Sequence, residues 1–306
     1  MRGLHAVGAG LDSDQGLTGS ARPRFAAAAW RRPGVRAAAL LAAPLGWLGV
    51  LYLGSLAVLL IAAFWSLDAF SGSLVKGFSL DNFKTIVDQS VYRTIVLRTV
   101  SIAALVTITD IVLAFPIAMF MAWVARPRTK ALMVALVLMP LWASYLIKVY
   151  AWRTMFANDG VVNWLLQPVG VSVPQSGYLR VWIVLAYLWL PYMVLPIYAG
   201  LERIPQSLLE ASGDLGGQPW RTFRSVVLPM ALPAVAAGSI FTFSLSLGDY
   251  ITPQLMSSTQ FIGNVVYANV GIANNLPLAA AFATVPVVIV AVYLVLVKRA
   301  GAFEAI

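Results

Sequence analysis

Long apolar stretches alternate with shorter polar ones along most of the chain. A helix rises 1.5 Å per residue, so about 20 apolar residues cross a hydrocarbon core of about 30 Å. Stretches of this length predict an all-α integral membrane protein with six transmembrane helices. The predicted spans are Ala38–Trp65, Thr99–Val124, Ala131–Phe156, Val181–Leu201, Val226–Leu247 and Leu276–Val297.

The composition supports a membrane protein and excludes several kinds of chemistry. Of the 306 residues, 60% are hydrophobic and 11% are charged, whereas soluble domains carry about 25% charged residues. The chain has no cysteine, which excludes thiol nucleophiles and thiolate metal sites. Its one histidine, His5, lies in a polar N-terminal stretch. We therefore expect no catalytic residue and no metal site in this chain.

The basic residues indicate the orientation of the chain in the membrane. The formal net charge is +9, but the lysines and arginines form short clusters beside apolar stretches, which is typical of a topology signal and not of nucleic-acid binding. Most of them lie in segments on the same side as the N-terminus, which predicts that both termini are cytoplasmic. We expect a disordered cytoplasmic tail over residues 1–36, a transmembrane domain over 37–298 and a short cytoplasmic C-terminus over 299–306.

The polar segment between the fourth and fifth predicted spans, residues 202–225, is called the inter-span segment below. Pro205 suits a helix start, and Gly216 with Gly217 predicts a sharp turn between two short helices. One predicted helix face carries Leu208, Leu209 and Leu215, and charged residues are left for solvent or a partner. A segment of this length is either a docking element or a plain interfacial helix.

The residues of this segment resemble a known motif. Glu210-Ala211 is followed by Gly216 and, after nine intervening residues, by Val226 and the pair Leu228-Pro229. This spacing resembles the EAA motif of importer-type ABC transporter permeases. Ser212 in place of the second alanine and Val226 in place of isoleucine are departures from that motif.

The resemblance extends over about residues 40–297. It points to the permeases of the spermidine/putrescine importer group, from which the chain departs at Met256-Ser257-Ser258, where members often carry Leu-Gly-Gly. The stretches that carry the resemblance are SLDNF from Ser79, FPIAMFMA from Phe115, LMPLWASYLIKVYAWRTMFANDGVVNWLL from Leu138, LPYMVLPIYAGL from Leu190 and SLSLGDYITPQL from Ser244.

The resemblance implies an assembly and the surface that drives it. The implied partners are two ATPase subunits, a second homologous permease and an extracytoplasmic solute-binding protein, in the lipid of the bacterial cytoplasmic membrane. ATP and Mg²⁺ would be bound by the ATPase partners, and this chain contains no phosphate-binding loop of the G-x-x-x-x-G-K-[S/T] type. The inter-span segment would be the cytoplasmic coupling helix. Its implied ATPase-coupling residues are Glu210, Ala211, Ser212, Asp214, Leu215 and Gly216.

Two carboxylates outside the topology pattern, Asp249 and Asp110, are candidate cargo contacts. Asp249 and the Tyr250 ring offer charge and a cation–π face to an ammonium group, and the alternative for Asp249 is a helix-end turn residue. Asp110 lies near the middle of the second span, where a charge costs about 2.5–3.5 kcal/mol unless it is paired, hydrated or protonated. It is either a cavity residue or a hydrogen-bonded contact between helices. The further aromatic candidates for the substrate pathway are Trp142, Tyr145, Tyr150, Trp152, Tyr187, Trp189 and Tyr192.

The predicted function is therefore the permease subunit of an ABC importer for a small organic solute, with a polyamine as the cargo implied by the resemblance. The alternatives are the same machinery for an amino-acid-like, opine or phosphonate compound, and an ion-coupled secondary carrier. A carrier of that kind is expected to show inverted repeats and paired broken helices. The sequence shows no such internal symmetry, and a carrier leaves the Glu210–Pro229 motif unexplained.

Overall fold

The computed structural model describes residues 33–68, 71–170 and 177–299. Residues 1–32 of the predicted tail (1–36) and residues 300–306 of the predicted C-terminus (299–306) lie outside these ranges. The helices are α1 (Pro33–Trp47), α2 (Gly54–Ala62), α3 (Asp81–Asp88), α4 (Ser90–Met119), α5 (Pro127–Trp142), α6 (Tyr145–Met155), α7 (Val161–Leu166), α8 (Gly177–Glu202), α9 (Gln206–Asp214), α10 (Pro219–Thr222), α11 (Leu228–Gly248), α12 (Ile251–Met256), α13 (Ile262–Gly271) and α14 (Leu276–Arg299). Short π-helical segments continue some of them, at Leu48–Leu53, Phe120–Val124 and Phe223–Val227.

The long apolar helices confirm the predicted membrane architecture. Five of the described helical stretches are long and apolar enough to cross a membrane, and a sixth span results if a bent helix pair is counted as one. Each overlaps a span predicted from the sequence. The five are Arg36–Ala62, Ser90–Val124, Gly177–Glu202, Pro219–Gly248 and Leu276–Arg299.

The third predicted span differs from the expectation of one continuous helix. It consists of α5 and α6, which meet at an angle of 94° across Ala143 and Ser144. The Lys148 ammonium donates a hydrogen bond of 3.0 Å to the carbonyl oxygen of Pro140. Because the last carbonyls of a helix have no partner within it, this cation satisfies the end of α5 and stabilises the bend.

The chain divides into two compact units, residues 1–58 and 59–306. In the first unit, the described residues of α1 and the start of α2 are exposed or half-exposed, and Leu40 is 70% exposed. Such an apolar surface suits contact with lipid chains. The predicted division at residues 36 and 298 remains a prediction.

The core of the second unit is formed by α4, α8 and α11, which pack against one another. Small residues allow α8 and α11 to approach closely, as is common between membrane helices. A Cβ atom added at Gly200 would lie 2.4 Å from the Cβ of Ala234, and one at Gly238 would lie 2.8 Å from the Met193 sulfur. The three helices therefore form a tight layer that connects the inter-span segment with the opposite end of the molecule.

Short elements cover the end opposite the inter-span segment. Strands β1 (Ser66–Leu67) and β2 (Leu74–Val75) pair antiparallel, with Ser66 opposite Val75. The Asn82 side chain of α3 donates hydrogen bonds to the carbonyls of Ala63 and Trp65, at 3.0 and 2.7 Å. This small hairpin is an addition to the predicted all-helical fold.

Candidate functional site

The inter-span segment folds into the two short helices that the sequence predicts. Helix α9 begins after Pro205 and ends before Gly216, whose φ of +74° places it in the left-handed region. The amide of Gly217 donates to the carbonyl of Ser212 at 2.8 Å, and that of Gly216 donates to the carbonyl of Gly213 at 2.9 Å. This pair of bonds is a Schellman motif, for which glycine is preferred because it has no Cβ atom.

The turn after α9 is closed by tight contacts with α10. A Cβ atom added at Gly217 would lie 2.5 Å from the carbonyl oxygen of Ser212. The hydroxyls of Ser212 and Thr222 lie 2.8 Å apart and form a hydrogen bond between the two helices. The sequence predicts backbone freedom at both glycines, but only Gly216 has a positive φ. Gly217 is required instead by the lack of space.

The residues of α9 divide into an inner and an outer face. Of the predicted coupling residues, Ser212 is half-buried, whereas Glu210, Ala211, Asp214, Leu215 and Gly216 are exposed.

The three leucines predicted on one helix face do not share one environment. Leu209 packs against the buried core, but Leu208 is exposed and the Leu215 side chain is 89% exposed. The reason is that Leu215 follows the end of α9 and lies in its terminal turn.

A chain of aromatic rings connects the inter-span segment with the core. Trp220 is 68% exposed, and its ring stacks on that of Phe223, with centroids 5.5 Å apart. The rings of Phe223 and Phe115 of α4 form a T-shaped pair, with centroids 5.3 Å apart and planes at 78°. Phe115 is buried. Sequence reasoning missed this connection because Phe115 lies more than 100 positions before Phe223 in the chain.

A second candidate site lies at the far end of α11. A cavity of about 380 Å³ opens between α6, α8, α11 and the start of α12. It is lined by Tyr145, Trp189, Ser244, Leu245, Gly248, Asp249, Tyr250 and Ile251.

The Asp249 carboxylate is buried at the edge of this cavity and accepts several hydrogen bonds. Its Oδ1 accepts from the backbone amides of Ile251 at 2.9 Å and Thr252 at 3.1 Å. Its Oδ2 accepts from the Thr252 hydroxyl at 2.8 Å and from the Tyr145 hydroxyl at 2.5 Å. Oδ1 thus satisfies amides at the N-terminus of α12, which is the helix-end role that the sequence leaves open.

Aromatic side chains form much of the cavity wall. The Tyr145 and Trp189 rings lie parallel within 15°, with centroids 6.0 Å apart. The Trp189 Nε1 donor and the Ser244 hydroxyl are buried without a hydrogen-bond partner among the described residues. Buried polar groups usually have partners, so these two groups are departures from the usual pattern beside the cavity.

Comparison with known proteins identifies the chain. Residues 77–302 match the family of binding-protein-dependent transport system inner membrane components. The chain belongs to this family. It is therefore a permease subunit of an ABC importer in the inner membrane, and its transport system includes a solute-binding protein.

Two curated relatives cover most of this permease. It is 45% identical over 293 residues to the inner membrane ABC transporter permease protein YdcU of Escherichia coli (strain K12). The aligned region covers 90% of this chain and 93% of the relative. The permease is 28% identical over 229 residues to the spermidine/putrescine transport system permease protein PotB of Haemophilus influenzae, over 73% of this chain and 79% of the relative.

Two solved structures share the fold of the permease. One is a bacterial alginate ABC transporter in complex with alginate pentasaccharide-bound periplasmic protein, at a TM-score of 0.70 and 15% identity, over 92% of this chain and 97% of that chain. The other is a bacterial ABC transporter involved in the import of the acidic polysaccharide alginate, at a TM-score of 0.66 and 18% identity, over 90% of this chain and 99% of that chain. At this identity the similarity concerns the fold alone.

The cavity brings together only part of the predicted substrate pathway of the permease. Asp249, Tyr250 and Trp189 line it, and Tyr192 packs behind Trp189 with ring centroids 5.9 Å apart.

Trp152 and Tyr187 lie elsewhere in the permease. Their rings meet each other at 5.3 Å, Trp152 packs against a buried apolar cluster, and Tyr187 lines a separate apolar cavity of about 300 Å³. Tyr145, another aromatic candidate, lines the Asp249 cavity, whereas Trp142 and Tyr150 are exposed and do not line it. Ser244 also lines the cavity and is not among the predicted site residues.

Asp110 also lies outside the cavity lining. It is 0% exposed within α4, and both of its carboxyl oxygens lack a hydrogen-bond partner among the residues that the structure describes. Its predicted role as a cargo contact remains untested.

Proposed function

We propose that this permease moves a small organic cation of the polyamine class, such as spermidine or putrescine, into the cytoplasm. The observation that carries the proposal is the cavity that Tyr145, Trp189 and Tyr250 line together with Asp249. Aromatic faces and a carboxylate attract ammonium groups by cation–π and Coulomb interactions, and both are stronger where water is excluded. The similarity to a spermidine/putrescine permease supports the same class of cargo.

The energy for transport comes, in this proposal, from two partner ATPase subunits that bind ATP and Mg²⁺. The exposed face of α9 contacts them through Glu210, Ala211, Asp214 and Leu215. The 89% exposure of the Leu215 side chain supports a partner surface here, because burying an exposed leucine contributes about 1.5–3 kcal/mol. Ser212 acts differently from the other predicted coupling residues, since its hydroxyl joins α9 to α10.

The rest of the assembly follows the same proposal. A second homologous permease completes the membrane pathway, and a solute-binding protein delivers cargo to the end of the molecule that carries Asp249. Both termini of the chain and the inter-span segment are cytoplasmic. This orientation is supported by the basic residues at the inter-span end, where Arg203, Arg221 and Arg224 are exposed.

A neutral or zwitterionic solute is the second candidate cargo. The hydrogen bonds that Asp249 accepts from two amides and two hydroxyls favour it, since the carboxylate already has a full set of partners. The lining of the cavity also includes Leu245 and Ile251, which suit an apolar group.

Uptake by the reconstituted transporter tests the proposal. Proteoliposomes that contain the permease pair, the ATPase and the solute-binding protein are expected to accumulate labelled putrescine only when ATP is supplied to the ATPase side. Asp249→Asn is expected to reduce putrescine uptake far more than uptake of a neutral solute. Equal reductions contradict a cationic cargo, and uptake that follows an ion gradient without ATP contradicts the ABC mechanism.

A further inference from the structure

The hydroxyl of Tyr145 joins two parts of the chain that lie 104 positions apart. Tyr145 is the first residue of α6 and directly follows the break at Ala143 and Ser144. Its hydroxyl lies 2.5 Å from Asp249 Oδ2 and 2.8 Å from the Thr252 hydroxyl. The first turn of α6 is thereby fastened to the first turn of α12.

The two oxygens of Asp249 have different kinds of partner. Oδ1 accepts backbone amides of α12, which stay in place as long as that helix is folded. Oδ2 accepts two side-chain hydroxyls, which can rotate away without unfolding any helix. Oδ2 is therefore the oxygen at which one donor can be exchanged for another.

The cavity gives a competing donor access to this oxygen. Tyr145 and Asp249 both line it, and Trp189 presents a ring beside them. A hydrogen bond from an ammonium group to a carboxylate is roughly twice as strong as one between neutral groups. A ring face adds a cation–π attraction for a cation within about 6 Å of its centre. A primary ammonium in the cavity therefore competes well against a neutral hydroxyl.

We propose that Tyr145 is an exchangeable partner of Asp249, and that a primary ammonium group of the cargo replaces its hydroxyl at Oδ2. The exchange frees the first turn of α6 from α12 at the bend of the third span. Binding of cargo therefore allows α6 to move. Tyr145 is then a positioning residue and Asp249 is the cargo ligand. The inference rests on the proposed cationic cargo and adds the contact through which that cargo acts on the fold.

Putrescine binding by the assembled transporter in nanodiscs, without the solute-binding protein, tests the exchange. Tyr145→Phe keeps the ring and removes the competing hydroxyl, so its affinity for putrescine is expected to rise about tenfold. Tyr150→Phe is the matched control, because Tyr150 lies on the same helix with its side chain 48% exposed. It is expected to bind as the parent does. Asp249→Asn retains an acceptor for the two amides and is expected to lose binding.

A distance measurement separates exchange from a direct contact between Tyr145 and cargo. The chain contains no cysteine, so Ile147→Cys on α6 and Gln254→Cys on α12 place spin labels at two exposed positions. Putrescine is expected to produce a longer-distance population in the parent. Tyr145→Phe is expected to show that population without putrescine, and Tyr150→Phe is not.

The outcomes distinguish the inference from the proposed function. Equal or weaker putrescine binding by Tyr145→Phe, or an unchanged distance in that variant, overturns the exchange and leaves a cationic cargo intact. A failure of the parent transporter to bind any primary diamine overturns the proposed cargo. In that case the distance in Tyr145→Phe still reports whether the hydroxyl fastens α6 to α12.

Discussion

The rings of Phe223 and Phe115 form a T-shaped pair, and through this contact the inter-span segment meets the second span as well as the fifth. Phe223 precedes α11 in the chain, whereas Phe115 lies within α4. A displacement of α9 and α10 therefore acts on two spans together. Aromatic pairs of this geometry contribute about 0.5–1.5 kcal/mol beyond the area that they bury.

Phe223→Leu is expected to lower cargo uptake about three- to tenfold, because leucine fills most of the space but loses the ring contacts with Trp220 and Phe115. ATP hydrolysis should fall less than uptake, since the outer face of α9 is unchanged. Phe120→Leu, at a 42% exposed position one turn beyond Phe115, is the control. If Phe223→Leu lowers cargo uptake and ATP hydrolysis by the same factor, coupling through the contact between Phe223 and Phe115 is contradicted.

Gly216→Ala and Gly213→Ala form a matched pair within three positions of each other. Alanine at Gly216 must adopt a φ of +74°, which costs about 1–2 kcal/mol. Gly213 lies within α9, and an added Cβ atom meets nothing within 4 Å, so alanine there should stabilise the helix by about 0.5–1 kcal/mol. The unfolding temperature and the rate of ATP-driven uptake should fall for Gly216→Ala only. Equal behaviour of the two variants contradicts a requirement for the left-handed turn.

The turn at Gly216 could be predicted from the sequence, whereas the bend in the third span could not. A glycine pair after a short amphipathic stretch is a local signal for a helix end. The predicted third span, in contrast, is uncharged from Ala131 through Ala143 to Ile147. The bend depends on the contact between Lys148 and the Pro140 carbonyl, and the sequence presents Lys148 only as a charge within a span.

For a similar reason, the sequence alone could not decide between the two roles proposed for Asp249, a cargo contact and a helix-end turn residue. Its helix-end contacts with Ile251 and Thr252 are local and could be anticipated. The contact with Tyr145 depends on where the bend places α6. A long-range contact of this kind leaves no periodic pattern in a single sequence.

Asp110→Asn is expected to raise the free energy of unfolding by about 1 kcal/mol and to preserve uptake. The change retains the shape of the side chain and removes a buried carboxyl group whose oxygens have no partner among the described residues. A charge in a span costs about 2.5–3.5 kcal/mol, and an unpaired amide about 1–3 kcal/mol. Thermal unfolding in detergent and putrescine uptake measure the two effects. Loss of uptake in a stable variant would instead assign Asp110 to the substrate pathway.

Cysteine labelling of the inter-span segment tests the central claim most directly, namely that α9 and its terminal turn bind a partner ATPase. Leu215→Cys, in a chain without other cysteines, should react rapidly with a water-soluble maleimide in the isolated permease. Assembly with the ATPase should protect it at least tenfold, whereas Val161→Cys on α7, at the opposite end, should react equally in both states. The account is contradicted if Leu215→Cys reacts as fast in the assembled, nucleotide-loaded transporter as in the permease alone.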